Sequence, residues 1–284
     1  MKLTAIILTK NEEKNIERCL RSVDFCDEVI IVDDFSEDKT IYRIKKIFNP
    51  EGSRNPQDFQ IFKRKLNGNF SNQRNFAMKK AKNEWVLFVD ADEEVSDELK
   101  GETQKVIGNQ LSVFSKNKKP TTDNRQQITA FRLKRRDFFW GRELKYGEIK
   151  KNRQVGLIRL IRKKSGIWLG HVHEEFRTNK TVGQLKSYLN HYPHQSVRDF
   201  LNDVNFYSSL RAKELYHQGR KTSIHEIIFY PLGKFLLTYI IKLGFLDGPA
   251  GFAYSFFMSF HSFLVRAKLF QYKRIGANSY AEKR

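Results

Sequence analysis

Residues Trp85–Glu94 read WVLFVDADEE, a short apolar run followed by a segment in which four of five residues are acidic. The apolar half predicts a buried β-strand. Asp90 and Asp92 stand two residues apart where this strand ends, and open α/β sheets bind ligands at the carboxyl ends of their strands. Carboxylate oxygens are the ligands that Mg²⁺ and Mn²⁺ prefer. The simpler alternative is a helix start, where acidic residues suit the helix dipole.

Three more apolar runs in the first third of the chain have the length of buried strands: Leu3–Leu8, Val29–Val32 and Phe59–Phe62. Helical patterns lie between them, and another follows at Phe70–Lys82. Alternating strands and helices predict parallel βαβ units with right-handed crossovers. Asn11 is predicted to cap the first helix. The fold class is therefore α/β, a mostly parallel sheet flanked by helices.

The middle of the chain predicts a change in the sheet. Residues 109–127 are polar, contain Pro120 and are predicted to form an exposed loop. Further strands are predicted at Ile128–Phe139, Val155–Arg162 and Gly166–Trp168, in an antiparallel arrangement.

Composition and charge limit the classes of partner. The 284 residues include 52 Lys and Arg against 32 Asp and Glu, a net charge of +20. This charge favours an anionic membrane or a phosphorylated substrate, although a solvated lysine-rich surface has the same composition. No nucleic-acid-binding module is recognisable, so nucleic acid is not expected as a partner.

The cysteines and the N-terminus indicate the compartment. Cys19 and Cys26 are the two cysteines, and their spacing matches no metal or redox motif. This usage fits a reducing compartment. The apolar run at the N-terminus is too short for a signal peptide and acidic residues follow it at once. We therefore expect a cytoplasmic protein.

The residue pattern changes near Pro193, which divides the chain into regions 1–192 and 193–284. In the second region, Ile227–Leu246 and Gly248–Val265 are strongly apolar, but each is marginal for a transmembrane helix, which needs ~20 apolar residues. Basic residues flank both stretches, so they predict helices lying on an anionic membrane surface. A helical hairpin packed on the core, or a homo-oligomer contact, is the alternative.

Four motifs occur in order within the first third of the chain: Thr9–Glu12 (TKNE), Asp33–Thr40 (DDFSEDKT), Asn72–Asn75 (NQRN) and Asp90–Glu93 (DADE). Together they resemble the family-two glycosyltransferases of the GT-A fold, which transfer a sugar from a nucleotide donor with inversion. The resemblance implies a Rossmann-like GT-A catalytic domain in residues 1–192, followed by a helical C-terminal extension.

Three later segments resemble the acceptor half of bacterial lipopolysaccharide-core glucosyltransferases: Arg159–Arg162 (RLIR), His171–Glu174 (HVHE) and Asp247-Gly248. This resemblance implies a UDP-sugar donor, with glucose as the favoured sugar, and a lipid-linked saccharide such as lipopolysaccharide core as the acceptor. It also implies a peripheral location on the inner face of the bacterial cytoplasmic membrane.

The resemblance implies roles for residues around the nucleoside. Thr9, Asn11 and Glu12 match the loop that lies against it. Asp34 matches the acid that accepts a hydrogen bond from the uracil ring, and Asp33 matches its neighbour in the same pocket. Both acids can equally act as caps of the next helix.

Three further residues are implied to handle the diphosphate and the metal. Arg74 matches a basic residue that reaches the diphosphate or ribose, since a guanidinium reads phosphate through two hydrogen bonds. Asp90 matches the first acid of the D-x-D motif, near the ribose or a metal-bound water. Asp92 matches the acid that ligates Mg²⁺ or Mn²⁺. Arg74 can also be a solvated helix residue.

Inverting transfer requires a base for the acceptor hydroxyl. The segment LGHVHEEF at residues 169–176 supplies the candidates His171, His173, Glu174 and Glu175. The resemblance favours Glu174 as the base, with His173 as its orienter or as a ligand on the metal side. Either histidine can also be an ordinary loop residue. A zinc site is not expected, because a clear fourth ligand is missing.

Other residues are candidates for acceptor contacts. Arg159 and Arg162 have the charge to bind a phosphorylated or carboxylated acceptor, unless they are surface charges on a strand. Trp140 and Tyr146 offer aromatic faces on which a sugar ring can stack, unless they pack in the core.

Two other classes of function compete at the level of sequence. A metal-dependent nucleotidyltransferase also uses paired acids, but it usually has a glycine-rich loop after the first strand, and Thr9–Glu13 contains no glycine. A non-catalytic basic scaffold that binds membrane or nucleic acid would use the acidic cluster for structure alone. Binding of a nucleotide with a metal separates the enzymes from the scaffold.

Overall fold

The structure is a computed structural model that describes residues 2–48, 58–115, 128–171, 174–194 and 196–275, without the side chains of 109–115. The strands in these ranges are β1 (Leu3–Thr9), β2 (Glu28–Asp33), β3 (Asp58–Lys63), β4 (Trp85–Asp90), β5 (Glu93–Val95), β6 (Ile128–Phe139), β7 (Arg142–Leu144), β8 (Leu157–Arg162), β9 (Ile167–Leu169), β10 (Glu175–Arg177) and β11 (Thr181–His191). The helices are α1 (Ile16–Ser22), α2 (Thr40–Phe48), α3 (Phe70–Lys80), α4 (Asp97–Ser115), α5 (Lys150–Gln154), α6 (Val197–His217), α7 (Ile224–Phe235) and α8 (Gly248–Ile275).

The chain divides into two compact units. The first unit consists of Met1–Arg136 and Gln154–His191, and the second consists of Asp137–Arg153 and Tyr192–Arg284. The predicted division at residue 192 differs, since it kept residues 137–153 with the catalytic domain. Its assignment of separate roles to 1–192 and 193–284 stays a prediction.

The parallel half of the first unit's sheet has the strand order β3-β2-β1-β4. β1, β2 and β4 are buried along almost their whole length. Strands covered on both faces need continuous apolar runs, which is why the sequence pattern identified them. All four predicted strands are confirmed, with helices α1, α2 and α3 between them in chain order.

The sheet continues beyond β4 in the order β8-β6-β11-β5. β8 is antiparallel to both β4 and β6, and β5 is antiparallel to β11, so the predicted antiparallel arrangement of this region is confirmed. β9 and β10 form a separate antiparallel ribbon. β11 was not predicted, because its polar residues show little alternation and it is mostly half-buried.

Side chains on the two faces of the parallel strands belong to separate apolar cores. Ile7 and Leu87 point into one core, while their neighbours Ile6 and Phe88 point into the other, as expected from the two-residue period of a strand. Leu20 of α1 covers the first core and Ala77 of α3 covers the second. The sheet is thereby held between helices, and its strand ends are fixed in position.

Two local predictions are wrong. Asn11 does not cap the first helix, because α1 begins at Ile16 and Asn11 has a positive φ of 55°. The predicted loop at 109–127 begins too early, because α4 continues to Ser115. The buried side chains of Leu99, Thr103 and Ile107 lie four residues apart and define one helix face, which the polar residues around them obscured. Residues 116–127 lie outside the described residues.

The second unit is largely helical. The Ser196 hydroxyl caps α6 by accepting a hydrogen bond from the Asp199 amide, at 3.1 Å. A π-helical turn, Leu236–Ile241, and a 3-10 turn, Gly244–Asp247, join α7 to α8. Among the described residues, the stretch Ile224–Ile241 is long and apolar enough to cross a membrane by length and composition alone, and 6% of it is buried.

Candidate active site

Strand register brings the predicted site residues to one edge of the first unit's sheet. Thr9 at the end of β1 pairs with Asp33 at the end of β2, and Leu8 pairs with Asp90 at the end of β4. The side chains that follow these three strands therefore share the crevice at the carboxyl ends of the parallel strands. All the contacts described below lie within the first unit.

The loops after β1 and β2 are tied together by side-chain hydrogen bonds. The buried Asp33 carboxylate accepts a bond from the Ser36 hydroxyl at 2.5 Å, and the same hydroxyl accepts one from the Asn11 amide at 2.9 Å. The Asn11 side-chain oxygen accepts the Glu37 amide at 2.8 Å. Asp33 and Asn11 thus shape the loops rather than point freely into the crevice.

Asp34 lies where the ends of β1 and β2 and the loop after β3 come together. One of its carboxylate oxygens accepts the Leu66 amide at 2.9 Å, and the other lies 3.1 Å from the Lys10 ammonium. The Asp34 side chain is 16% exposed. Since each carboxylate oxygen has two lone pairs, Asp34 keeps acceptor capacity for a ring N–H.

The other two residues of the predicted nucleoside loop have different environments. The Glu12 amide donates to the Thr40 hydroxyl at 2.8 Å, and the Glu12 carboxylate accepts from Asn15 at 2.8 Å. The buried Thr9 hydroxyl has no hydrogen-bond partner among the described residues. Thr9 therefore carries a buried polar group that no described residue satisfies.

Arg74 joins two predicted site residues that are distant in sequence. Its Nη2 lies 2.9 Å from the Asp90 carboxylate, and its Nε lies 2.9 Å from the Glu174 carboxylate. The guanidinium is 3% exposed and lies over the rings of Phe88 and Trp168. The alternative that Arg74 is a solvated helix residue is therefore wrong, and its contact with the donor stays a prediction.

Arg159 approaches Asp90 from the neighbouring strand β8. Its Nη2 lies 2.6 Å from the Asp90 carboxylate and 3.2 Å from the Glu93 carboxylate. Burial alone would raise the pKa of Asp90, but the charges of Arg159 and Arg74 outweigh it and hold that pKa well below its usual range. The Arg159 side chain is 6% exposed, so the alternative that it is a surface charge is wrong.

Glu93 completes this charged cluster beneath Asp90. It is buried, and one of its oxygens accepts the Asp90 backbone amide at 2.9 Å while the other lies 3.7 Å from Arg135. Burial raises the pKa of Glu93, even though Arg159 opposes the shift. The alternative that the acids after β4 start a helix is wrong, because Glu93 and Glu94 lie in β5 and α4 begins only at Asp97.

Asp92 faces a different partner, the last residue of β11. The Nε2 atom of His191 lies 3.1 Å from the Asp92 carboxylate. Burial opposes ionisation of Asp92, but His191 lowers the pKa of this carboxyl below its ordinary value. A hard carboxylate oxygen beside an imidazole nitrogen suits Mn²⁺ or Mg²⁺ when the other ligands come from elsewhere.

The described residues do not form a metal cage by themselves. Among them, no group of three or more His, Cys, Asp or Glu side chains is arranged to hold a metal ion. Asp92 and His191 supply two donors, so a cation held there needs further oxygen ligands, such as those of a diphosphate and water. The donor set fits a cation bound together with a nucleotide.

The four candidates for the catalytic base differ in their surroundings. Glu174 is 14% exposed and bonded to Arg74, whereas Glu175 is exposed on β10. The His171 carbonyl accepts the Phe70 amide at the start of α3. His173 lies outside the described residues.

The remaining acceptor candidates are Arg162, Trp140 and Tyr146. Arg162 forms an ion pair with Glu84. It lies opposite Trp85 at the start of β4, whereas Arg159 contacts Asp90 at the end of β4. Trp140 and Tyr146 belong to the second unit, where Trp140 is half exposed. Their predicted contact with a sugar stays a prediction.

Sequence reasoning missed Glu93, Arg135 and His191 as members of the site. Glu93 was visible as one of the acids after β4, but nothing indicated that it turns inward. His191 follows a polar strand with little periodicity, so its approach to Asp92 depends on the pairing of β11 with β5, in which His191 lies opposite Glu93. That pairing between distant segments leaves no local signal.

The comparisons with known proteins identify the class. The fold is that of a glycosyltransferase, and a family model described as Glycosyl transferase family 2 matches residues 4–165. This match covers more than half of the 284 residues, and the chain belongs to that family. The GT-A fold and the glycosyltransferase class predicted from the motifs are therefore confirmed.

Two relatives extend over nearly the whole chain. An uncharacterised glycosyltransferase of Rickettsia typhi is 32% identical over 279 residues, which span 94% of this chain and 86% of the relative. The lipopolysaccharide core biosynthesis glycosyltransferase LpsC of Rhizobium meliloti is 25% identical over 273 residues, which span 95% of this chain and 92% of LpsC. These matches include the C-terminal region as well as the catalytic domain.

A solved structure agrees at the level of the fold. The mannosyltransferase PcManGT of Pyrobaculum calidifontis, determined in complex with GDP-Man and Mn²⁺, has a TM-score of 0.50 and 12% sequence identity, covering 94% of this chain and 86% of its own. At this identity the likeness concerns the fold alone. The nucleotidyltransferase and scaffold alternatives lose their basis, because the family is one of glycosyltransferases.

Proposed function

We propose that the protein is an inverting glycosyltransferase that moves a sugar, with glucose favoured, from a UDP-sugar to a lipid-linked saccharide such as lipopolysaccharide core. The observation that carries the proposal is the linkage of Asp90 to Glu174 through Arg74, at 2.9 Å on both sides. This linkage joins the acidic strand end to the predicted base. The name of LpsC supports the choice of acceptor class.

The nucleoside end of the donor would lie over the loops after β1 and β2. Asp34 accepts a ring N–H of uracil, and the unpartnered Thr9 hydroxyl is available to the nucleoside. Asn11, Glu12 and Asp33 hold the shape of these loops through the hydrogen bonds described above. The Nη1 nitrogen of Arg74 has no partner among the described residues. We propose that it donates to a phosphate of the donor.

Asp92 and His191 are the residues that would hold Mg²⁺ or Mn²⁺. When bound, such an ion supplies charge stabilisation for the leaving diphosphate, worth several kcal/mol. Asp90 does not have the same role, since both of its oxygens already face buried arginines. We propose that Asp90 instead orients Arg74 and Arg159 at the crevice.

Glu174 is proposed to take the proton from the acceptor hydroxyl as this oxygen attacks the anomeric carbon. General-base assistance of this kind contributes a factor of roughly 10²–10⁴ in rate. Arg74 fixes the position of the Glu174 carboxylate through its Nε atom, so the base is oriented before the acceptor binds. His173 keeps its proposed role as orienter or metal-side ligand.

We also propose a peripheral location on the inner face of the bacterial cytoplasmic membrane. The support is the stretch Ile224–Ile241, in which Ile228, Phe229 and Leu232 are more than half exposed. Apolar helices with basic flanks lie in the headgroup region of anionic membranes. This location would bring the enzyme to a lipid-linked acceptor. A homo-oligomer stays the alternative use of the same surface.

The donor is tested by calorimetric binding of UDP, GDP, CDP and ADP, with Mn²⁺ and then with EDTA. We expect metal-dependent binding of UDP in preference to the others. Equal binding of all four nucleotides would remove the assignment of Asp34 to uracil. If no nucleotide binds, the chain still belongs to the family, but the proposal of a functioning donor site is contradicted.

Glu174→Gln tests the base. Gln keeps the size of the side chain and a carbonyl oxygen for Arg74, but it cannot accept the acceptor proton. We expect a loss of transfer of at least about 10²-fold with unchanged affinity for UDP and Mn²⁺. Loss of UDP affinity as well would assign Glu174 to donor binding or to structure instead of proton transfer.

A further inference from the structure

The second unit exposes a large apolar surface on residues 224–247, which we call the apolar hairpin. It contains α7, the π-helical turn and the 3-10 turn. Twelve large apolar residues of this segment are exposed: Ile224, Ile228, Phe229, Tyr230, Leu232, Leu236, Leu237, Ile240, Ile241, Leu243, Phe245 and Leu246. Exposed apolar patches of this extent mark interaction sites, because water does not favour them.

The residues in and around the apolar hairpin carry more positive than negative charges. Residues 220–275 contain eight Lys and Arg and two acids, Glu226 and Asp247. Glu226 is engaged in the capping box of α7, and Asp247 is buried. The net charge of this part of the chain is therefore positive, which suits an anionic partner.

A second basic segment, residues 142–151, is called the basic loop here. Its two acids are neutralised: Glu143 lies 2.5 Å from Arg153, and Glu148 lies 2.7 Å from Lys234 of the apolar hairpin. Four exposed cations remain whose side chains form no ion pair with the described residues: Arg142, Lys145, Lys150 and Lys151. The basic loop thus presents uncompensated positive charge.

Three contacts attach the basic loop to the apolar hairpin. The buried Asp247 carboxylate accepts the backbone amides of Lys145 and Tyr146, at 3.0 and 2.9 Å. The Gly147 amide donates to the Lys242 carbonyl at 3.0 Å. The third contact is the ion pair between Lys234 and Glu148. The four cations therefore lie on a segment that is attached to the apolar hairpin.

We propose that the basic loop binds the phosphate groups of anionic phospholipids while the apolar hairpin inserts into the same leaflet. Apolar insertion and headgroup contact strengthen each other, because once one of them has attached the protein to the membrane, the other becomes an intramolecular step with a smaller entropic cost. A second copy of this chain is a poor occupant, because each copy carries a net charge of +20 and this part of the chain is itself basic. The inference rests on the proposed function only in requiring a membrane-borne acceptor.

The test uses the full-length protein and vesicle flotation, with phosphatidylcholine alone or mixed with phosphatidylglycerol. The variant is the triple substitution Lys145→Gln, Lys150→Gln and Lys151→Gln. Its matched control removes three exposed lysines of the first unit, Lys45, Lys46 and Lys105, by substitution with Gln. The two variants have the same net charge and differ only in which part of the chain has lost positive charge.

We expect the wild type to prefer vesicles with phosphatidylglycerol. Each lysine near an anionic surface contributes about fivefold in affinity, so the basic-loop variant should lose at least about tenfold while the control changes little. Equal losses in the two variants would overturn the proposal, because net charge alone would then explain binding. We also expect vesicle binding to be undiminished when inorganic phosphate replaces chloride at equal ionic strength. Displacement of the protein from vesicles by phosphate would overturn the lipid assignment and point to a free phosphate ligand instead.

This test is independent of donor chemistry. UDP binding in the presence of Mn²⁺ is measured on the same preparations and should be unchanged in both variants. Failure of vesicle binding with normal UDP binding would remove the lipid site alone. Failure of UDP binding with normal vesicle binding would remove the proposed function alone.

Discussion

At the scale of single residues, the site is a set of buried charges that stabilise one another. Asp90 faces Arg74 and Arg159, and Glu93 lies beneath it with Arg159 and Arg135. Buried charges are tolerated when they are paired, and removal of one partner leaves the other uncompensated. Conservative substitutions that keep size are therefore needed to separate chemistry from stability.

Asp92→Asn is the most direct substitution at this scale. Asn keeps the shape of the side chain but is a poor ligand for a divalent cation, so we expect transfer to be abolished. We expect the unfolding midpoint in urea to stay close to that of the wild type, since the Asp92 side chain is 24% exposed and bonded to one histidine. Turnover equal to the wild type would show that Asp92 does not hold the metal.

The pH dependence of stability tests the pairing of Asp90. Folding lowers the pKa of Asp90, since Arg159 and Arg74 outweigh burial, so its ionised form stabilises the fold above the unfolded pKa of about 3.9. That contribution is lost as the pH falls through the folded pKa. We expect the stability difference between the wild type and Asp90→Asn to shrink from about pH 5 downwards in urea titrations. A difference that is constant with pH would contradict the pairing.

Residue types at the strand ends could be predicted from the sequence, but their partners could not. The acids after β2 and β4 stand next to apolar runs, so their position at the sheet edge follows from the strand pattern. The contacts Arg74–Glu174 and Asp92–His191 join residues about a hundred positions apart. Such contacts are set by the packing of whole elements, and no local spacing encodes them.

At the scale of elements, close approach of α8 to the preceding turn decides how the apolar hairpin is held. A Cβ atom on Gly251 would lie 2.1 Å from the Gly244 carbonyl oxygen. This distance is far inside van der Waals contact, and the obstacle is backbone, which cannot rotate away. Glycine at residue 251 is therefore required by packing, although it lies inside a helix where glycine is otherwise unfavourable.

Gly251→Ala and Gly233→Ala form a matched pair of helical substitutions. Gly251→Ala should destabilise the protein by roughly 1–3 kcal/mol through overpacking. Gly233 lies in α7 with nothing within 4 Å of its added Cβ, so Gly233→Ala should stabilise by about 0.5–1 kcal/mol through helix propensity. Urea unfolding measures both. Similar effects of the two substitutions would show that the tight contact is absent.

Elements with a clear period were predictable, and polar elements were not. The buried parallel strands have unbroken apolar cores, and α6 shows a clear apolar face with Phe200 and Val204 buried. β11 carries the sheet towards β5 with few apolar residues, so hydrophobic periodicity gives it no signal. Its two buried core residues, Leu185 and Leu189, are too few to reveal a strand, and its place in the sheet depends on pairing with distant segments.

At the scale of the whole molecule, charge and apolar surface are combined in one chain of net charge +20. Of the large apolar side chains that are exposed, many lie in residues 224–246, as described above. The two-unit division was not predictable, because the second unit takes in residues 137–153 from the middle of the sequence. Composition marks the C-terminal change near Pro193 but gives no sign of that earlier segment.

Substitution of the apolar hairpin tests membrane association of the whole protein. Ile228→Asn with Leu236→Asn removes two exposed apolar side chains, and the matched control makes the same change at Val155 and Ile167 in the first unit. We expect the first pair to weaken the free energy of binding to phosphatidylcholine vesicles, measured by flotation, by about 1.5–3 kcal/mol per inserted side chain. The control pair should leave this binding unchanged. Equal flotation of the two variants would refute insertion of the hairpin.

The two native cysteines have a consequence for labelling. Cys19 and Cys26 are both buried, and burial raises the pKa of each thiol well above its ordinary value. Because the thiolate is the reactive form, neither should couple to maleimides while the protein is folded. A single cysteine introduced at an exposed position therefore becomes the sole attachment point for a spin label or fluorophore. The depth of each labelled residue in the membrane can then be measured without first replacing the two native cysteines.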